Sequence, residues 1–133
     1  MIVKSFELNK IKFDKINFIL FYGKNEGLKS EAIKNLFKKT SEVINYEEKE
    51  ILNNSNNFIE SVLSRSLFND EKILIIKRAS DKILKIINEI ETKKIDNKKL
   101  IINAENLEKK SKLRSLFEKN KEYVCAAFYE DNV

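Results

Sequence analysis

Three short stretches of this chain are almost uninterrupted runs of Ile, Leu and Phe: Phe18-Ile-Leu-Phe21, Ile73-Leu-Ile-Ile76 and Leu100-Ile-Ile102. A run that is apolar at every position, rather than at every second one, is expected of a strand covered on both faces. Such strands need helices on each side of the sheet. The segments between the runs supply them, because their apolar residues recur every three or four positions. Strands are expected at 17–22, 42–46 (the weakest), 72–77, 99–103 and 123–129. Helices are expected at 26–39, 54–68, from Ser80 or Asp81 to about 92, and at 108–120. This βα alternation predicts an α/β fold, a three-layer α/β/α sandwich around a mostly parallel five-stranded sheet joined by right-handed crossovers.

Punctuation is sparse. Proline is absent and the only glycines, Gly23 and Gly27, fall in one turn, so no flexible linker divides the 133 residues. With 42% hydrophobic residues, the chain is expected to form one domain spanning 1–133. The Asn-rich cluster 53–57 and the polar stretch 93–99 read as connections. The abrupt end after the last strand, at 130–133, is expected of a domain boundary.

Composition removes several chemistries. There is no histidine and a single cysteine, so the commonest general base, a disulfide framework and a zinc-type ligand set are all missing. Cys125 stands in the apolar run 123–128, where a small thiol packs as a core residue. Lys and Arg number 26 against 21 Asp and Glu, a net charge of +5 within a chain that is 35% charged. Both signs are mixed throughout, which reads as a solvated surface rather than a dedicated polyanion binder. No targeting segment or bilayer-length apolar stretch is visible, and a cytoplasmic location is expected.

The first strand runs into Tyr22-Gly-Lys-Asn-Glu-Gly-Leu-Lys-Ser30 and then a helix, the strand, turn and helix context of a phosphate loop. Lys29 and Ser30 stand at the right distance from Gly23 for G-x-x-x-x-G-K-[ST]. The sixth position, however, is Leu28, with the glycine one place earlier at Gly27. A Cβ there obstructs the close approach of backbone N–H groups to phosphate. Glu26 adds a negative charge, and no acidic residue ends a neighbouring strand to hold a metal: 73–76 is followed by Lys77-Arg78, and 100–102 by Asn103. Gly23, Gly27, Lys29 and Ser30 thus form a vestigial phosphate loop, with no cofactor or catalytic group expected. Two readings of the glycines stand, a tight strand-to-helix turn or a genuine nucleotide site. A small P-loop kinase or NTPase using Lys29 and Ser30 remains the enzymatic alternative, and a basic nucleic-acid module a third.

In the helix expected at 54–68, Phe58, Ile59, Val62 and Leu63 share one arc centred near Ser66, whereas Leu67 and Phe68 fall outside it. If the helix persists that far, the pair is an exposed apolar feature in want of a partner. If it ends earlier, both fold back inward. The same tripeptide at Ser115-Leu-Phe117 is simpler, because Leu113, Leu116 and Phe117 lie together as a core face.

The succession of a damaged phosphate loop, Ser66-Leu-Phe68 leading into Glu71-Lys-Ile-Leu-Ile-Ile-Lys77, and Lys99-Leu-Ile-Ile-Asn-Ala-Glu105 resembles the delta subunit of the bacterial DNA polymerase III clamp loader. Leu107-Glu-Lys-Lys-Ser-Lys-Leu113 continues the likeness to that family's L-D-K-R-S-K-L segment, with Glu108 for Asp and Lys110 for Arg. The resemblance spans essentially the whole chain. It implies a RecA-like first domain of the AAA+ class that does not hydrolyse ATP and works in DNA replication within the polymerase holoenzyme. Ser66, Leu67 and Phe68 would bind the beta sliding clamp and help to open its ring, with sibling loader subunits supplying the ATPase. The family's lid and collar domains have no room in this chain. Primed DNA would be met only through the assembled loader, and Lys109, Lys110, Lys112 and Arg114 read as a solvated helix face. No membrane partner is expected.

Overall fold

The computed structural model describes residues 1–37, 41–64, 71–93, 95 and 97–129. Five strands, β1 (Phe18–Tyr22), β2 (Glu42–Glu47), β3 (Lys72–Lys77), β4 (Lys98–Ala104) and β5 (Val124–Ala127), form one sheet in the order β2-β3-β4-β1-β5. Every pairing is parallel, with Leu20 opposite Ile102 and Cys125 at its centre. The helices are α1 (Glu26–Leu36), α2 (Glu48–Asn53), α3 (Ser55–Leu63), α4 (Leu84–Glu91) and α5 (Lys112–Lys119). Two 3-10 segments, Ser5–Lys10 and Asp81–Ile83, complete the order.

Strand order and handedness together place the helices. From β1 the chain crosses two strands to reach the far edge at β2, then returns across the sheet through β3 and β4 and past β1 to β5. Right-handed crossovers travelling in opposite directions put their helices on opposite faces. α1 accordingly packs on one face, where Ala32, Ile33 and Leu36 meet Ile19, Phe21, Ile73, Ile75 and Ile101, with Leu8 and Phe13 from the N-terminal segment beside them. The other face carries Phe18, Leu20, Leu74, Ile76, Leu100 and Ile102. They are covered by Ile51 of α2, by Phe58, Ile59 and Val62 of α3, by Ile86, Ile87 and Ile90 of α4 and by Leu113 and Phe117 of α5. Continuous apolar runs therefore serve two cores at once.

The helix ends differ from the sequence reading for local reasons. α1 stops at Leu36 because Phe37 is extended; residues 38 and 39 of the expected helix lie outside the described residues. Leu28, expected in the core stripe of α1, is 40% exposed, and the inward position of that first turn belongs to Lys29. The helix expected from Ser80 or Asp81 opens as the 3-10 turn, with the Ser80 side chain accepting from Lys82 N. α5 starts only at Lys112, capped by Ser111, whose Oγ accepts from Arg114 N at 3.2 Å. α2 and the N-terminal 3-10 segment have no counterpart in the sequence reading. α2 presents a single apolar core residue, Ile51, which leaves no periodicity to detect. Among the described residues no helix is long and apolar enough to cross a membrane.

Candidate functional site at the carboxyl edge of the sheet

β1 and β4 are neighbours whose following helices, α1 and α5, leave to opposite faces. Open parallel sheets place ligands in the crevice outside such a switch point. The phosphate-loop-like turn sits there. Gly23 has φ +116°, and a Cβ on it would stand 2.0 Å from the Phe128 carbonyl oxygen. The residue must be glycine because the chain leaving β5 passes directly over it: Phe128 N donates to Tyr22 O at 2.7 Å, and Asn25 N to Phe128 O at 3.2 Å. Gly23 N donates to Glu105 O. Main chain occupies the space that a phosphate would need.

The remainder of the loop has become helix. Asn25 caps α1, its Oδ1 accepting from Leu28 N at 3.1 Å and its Nδ2 donating to Tyr129 O at 3.2 Å. Lys29 N donates to Asn25 O at 3.1 Å. The N–H groups of Gly23, Asn25, Glu26, Leu28 and Lys29 are thus consumed locally. Gly27 lies in the exposed first turn of α1, where a Cβ would meet only Asn25 Oδ1 at 3.7 Å. Neither space nor backbone conformation demands glycine at that position.

Lys29 is fully buried. Its Nζ donates to Asn103 Oδ1 at 2.8 Å and to Ala104 O at 3.0 Å, and pairs with Glu26 Oε1 at 2.5 Å. An ammonium has three donors, and each has its acceptor. Asn103, which stands where a nucleotide enzyme could keep a polar group at the end of β4, serves as an internal ligand for the lysine. Ser30 is exposed and turned to a neighbouring groove. The structure therefore brings Gly23, Lys29 and the end of β4 together, and leaves Gly27 and Ser30 outside that contact. Among the described residues no cluster of His, Cys, Asp or Glu could hold a metal ion.

Ser66, Leu67 and Phe68 lie outside the described residues. α3 ends at Leu63, and Ser64 is extended at ψ 144°, so the helical phase by which Leu67 and Phe68 were reckoned to face outward stops before either residue. The control tripeptide behaves as read: Leu113 and Phe117 are fully buried, with Leu116 packed against them.

Three features escaped the sequence reading. Lys98 and Lys99 open β4 and are both buried. Lys98 Nζ donates to Ser64 O, the C-cap carbonyl of α3, at 2.5 Å. Lys99 Nζ donates to Phe13 O and, at 2.8 Å, to Ile16 O; burial pulls its pKa down, opposed by Glu71 3.9 Å away. The available signal was their direct fusion to the apolar run 100–102. Arg114, read as part of a solvated face with the exposed Lys109, Lys110 and Lys112, is instead drawn inward. It donates to Leu107 O at 2.9 Å, pairs with Glu118 at 3.1 Å and stacks 4.9 Å over the Tyr22 ring. Third, the Asp81 carboxylate accepts from Ser111 Oγ at 2.6 Å, Lys112 N at 3.1 Å and Leu113 N at 3.2 Å, and these contacts hold its pKa below the usual value. Cys125 is buried, and desolvation pushes its thiol up to about 12, so it is unreactive at neutral pH.

Comparison of the chain with protein-family models, with curated proteins and with solved structures finds no match.

Proposed function

We propose that this chain is a non-catalytic, RecA-like domain of the clamp-loader delta kind, which binds the beta sliding clamp through Ser66, Leu67 and Phe68 and helps to open its ring. The observation that carries the non-catalytic half is the internal satisfaction of Lys29. In a working phosphate loop that lysine reaches the terminal phosphates; here Asn103, Ala104 and Glu26 hold it in their stead. The same contacts weigh against a P-loop kinase or NTPase, which would have to break all three and displace the main chain over Gly23.

The clamp-binding half rests on the resemblance in sequence. A domain of this kind works by differential affinity, holding the opened ring more tightly than the closed one. Burial of Leu67 and Phe68 in a hydrophobic pocket on the clamp is worth about 1.5–3 kcal/mol for each side chain, enough to make them hot spots. The other loader subunits supply the ATPase, and primed DNA is engaged by the assembly.

Surface plasmon resonance against an immobilised bacterial beta clamp tests the reading. The wild-type chain is expected to bind, and the Leu67→Ala, Phe68→Ala double variant to keep its circular dichroism spectrum while losing at least about a hundredfold in affinity. Equal binding by the two proteins would sink the assignment. Calorimetric titration with Mg-ATP is expected to show no binding.

A further inference from the structure

The two faces of the sheet are unequally covered. Among the described residues four helices close one face, but α1 and the N-terminal segment cover the other, and the edge strand β2 is left open on that side, with Val43 48% exposed and Asn45 exposed. An open groove of about 730 Å³ results between α1 and β2. Its apolar lining is Ile33 and Phe37 from the α1 segment with Val43 and Ile75 from the sheet. That volume falls within the range of small-molecule sites, which are typically apolar with a few convergent polar groups. The groove extends to Lys77 and Asn103 at the carboxyl ends of β3 and β4, the side on which open parallel sheets take ligands.

Its charges are not balanced. Lys34 and Lys77 line the groove, are exposed, and make no ion pair among the described residues. The acidic lining residue is Glu26, whose carboxylate is already committed to Lys29 at 2.5 Å. Glu47, which shares this face of β2, lies 3.7 Å from Arg78. The groove thus offers an apolar lining and two ammonium groups that make no ion pair among the described residues, with Glu47 opposite Lys77 in the β2–β3 register. We infer that it binds a small anionic ligand with a flat apolar body, of the aryl carboxylate or aryl sulfonate class. The apolar body lies against Phe37 and Val43, and Lys34 and Lys77 receive the anion. This site is on the face opposite α3 and does not involve the segment proposed to bind the clamp.

Two dyes that differ by one sulfonate group decide the matter. Anilinonaphthalene sulfonate carries the anion, and N-phenyl-1-naphthylamine is the same ring system without it. Fluorescence titration of the full chain is expected to show saturable binding of the sulfonate dye at one site, at least several-fold tighter than the neutral dye. The Lys34→Gln, Lys77→Gln double variant changes only exposed side chains and should weaken the sulfonate dye roughly tenfold while leaving the neutral dye unchanged. Val43→Glu should weaken both. Amide chemical-shift changes with the sulfonate dye are expected at Ile33, Phe37, Val43 and Lys77. Equal affinity for the two dyes, unchanged sulfonate binding in the double variant, or shift changes centred elsewhere would each overturn the inference.

Discussion

The amino and carboxyl ends of the sheet both hold buried charges, but in opposite electrostatic settings. In a parallel sheet joined by helices, every helix runs back against the strands. Helix C-termini, with their unpaired carbonyls, gather at the amino end of the sheet, and N-termini, with their free N–H groups, at the carboxyl end. At the amino end the charges are cations facing carbonyls. Lys98 meets the C-cap of α3, Lys99 meets Phe13 and Ile16, and the Met1 amino group donates to Phe117, Asn120 and Tyr123 carbonyls around the end of α5 at 2.5, 2.7 and 2.9 Å. At the carboxyl end Asp81 is an anion facing the first N–H groups of α5. Apart from Lys99, whose acceptors lie in the turn before β1, each of these agrees with the helix dipole. Lys29 does not, for it is a cation in the first turn of α1. It is held there by Glu26 and by two oxygens at the end of β4, Asn103 Oδ1 and the Ala104 carbonyl.

The comparison breaks most visibly at Gly23. Gly23→Ala puts a Cβ into the Phe128 carbonyl at a φ that L side chains avoid, and it is expected to cost more than about 3 kcal/mol in urea denaturation. A well-folded Gly23→Ala protein would mean that the carboxyl end is not held by main-chain contact.

Lys29→Met and Lys99→Met sharpen the contrast. The first leaves Asn103 Oδ1 and Ala104 O without their donor and should cost about 2–3 kcal/mol. The second also removes an ammonium that burial disfavours, and should cost only about 1 kcal/mol. Lys99 also carries a pH dependence. Because the Lys99 pKa is lowered from 10.5 in the folded state, the unfolded chain binds more protons in the window between the folded value and 10.5. Stability contributed by Lys99 therefore rises as pH increases through that window. The stability of the wild type relative to Lys99→Met should move in favour of the wild type there, as measured by denaturation at a series of alkaline pH values.

Asp81→Asn addresses the anion at the carboxyl end and should cost about 1 kcal/mol at neutral pH. The folded pKa is depressed, first by the Ser111 hydroxyl and then by the α5 amides. Its contribution is complete above the unfolded value of 3.8 and is lost as pH falls through the lower folded one. Acid titration of the two proteins should show their stabilities converging. The smallest effect is at the second glycine: Gly27→Ala, in an exposed helical turn with room for the methyl, should gain about 0.5–1 kcal/mol in thermal denaturation. Opposite signs at Gly23 and Gly27 would confirm that only the first belongs to the closed turn.

Much of this molecule is written locally. Period and apolar density place the five strands to within about two residues at any end, because a strand buried on both faces announces itself in its own four or five side chains. The departure of 23–30 from the phosphate-loop pattern was equally visible, as a glycine at 27 and a Leu at 28. The buried face of α3 was legible through Leu63, but the proposed partner of Leu67 and Phe68 came from resemblance, since apolar pattern alone does not say whether a pair past the end of a helix turns inward.

The roles of the lysines were not legible at all. Lys29 read as part of a phosphate loop and Lys98 and Lys99 as the end of a polar connection into a strand, and each is a buried tie between segments remote in the chain, Lys29 and Asn103 standing 74 positions apart and Lys98 and Ser64 34. Sequence alone determined the five strands and the helices α1, α3, α4 and α5, because those preferences act over a few neighbouring residues. Only the tertiary structure decided strand order and the fate of each charge, because the potential at an ammonium is set by the carbonyls and carboxylates that folding brings within about 3 Å.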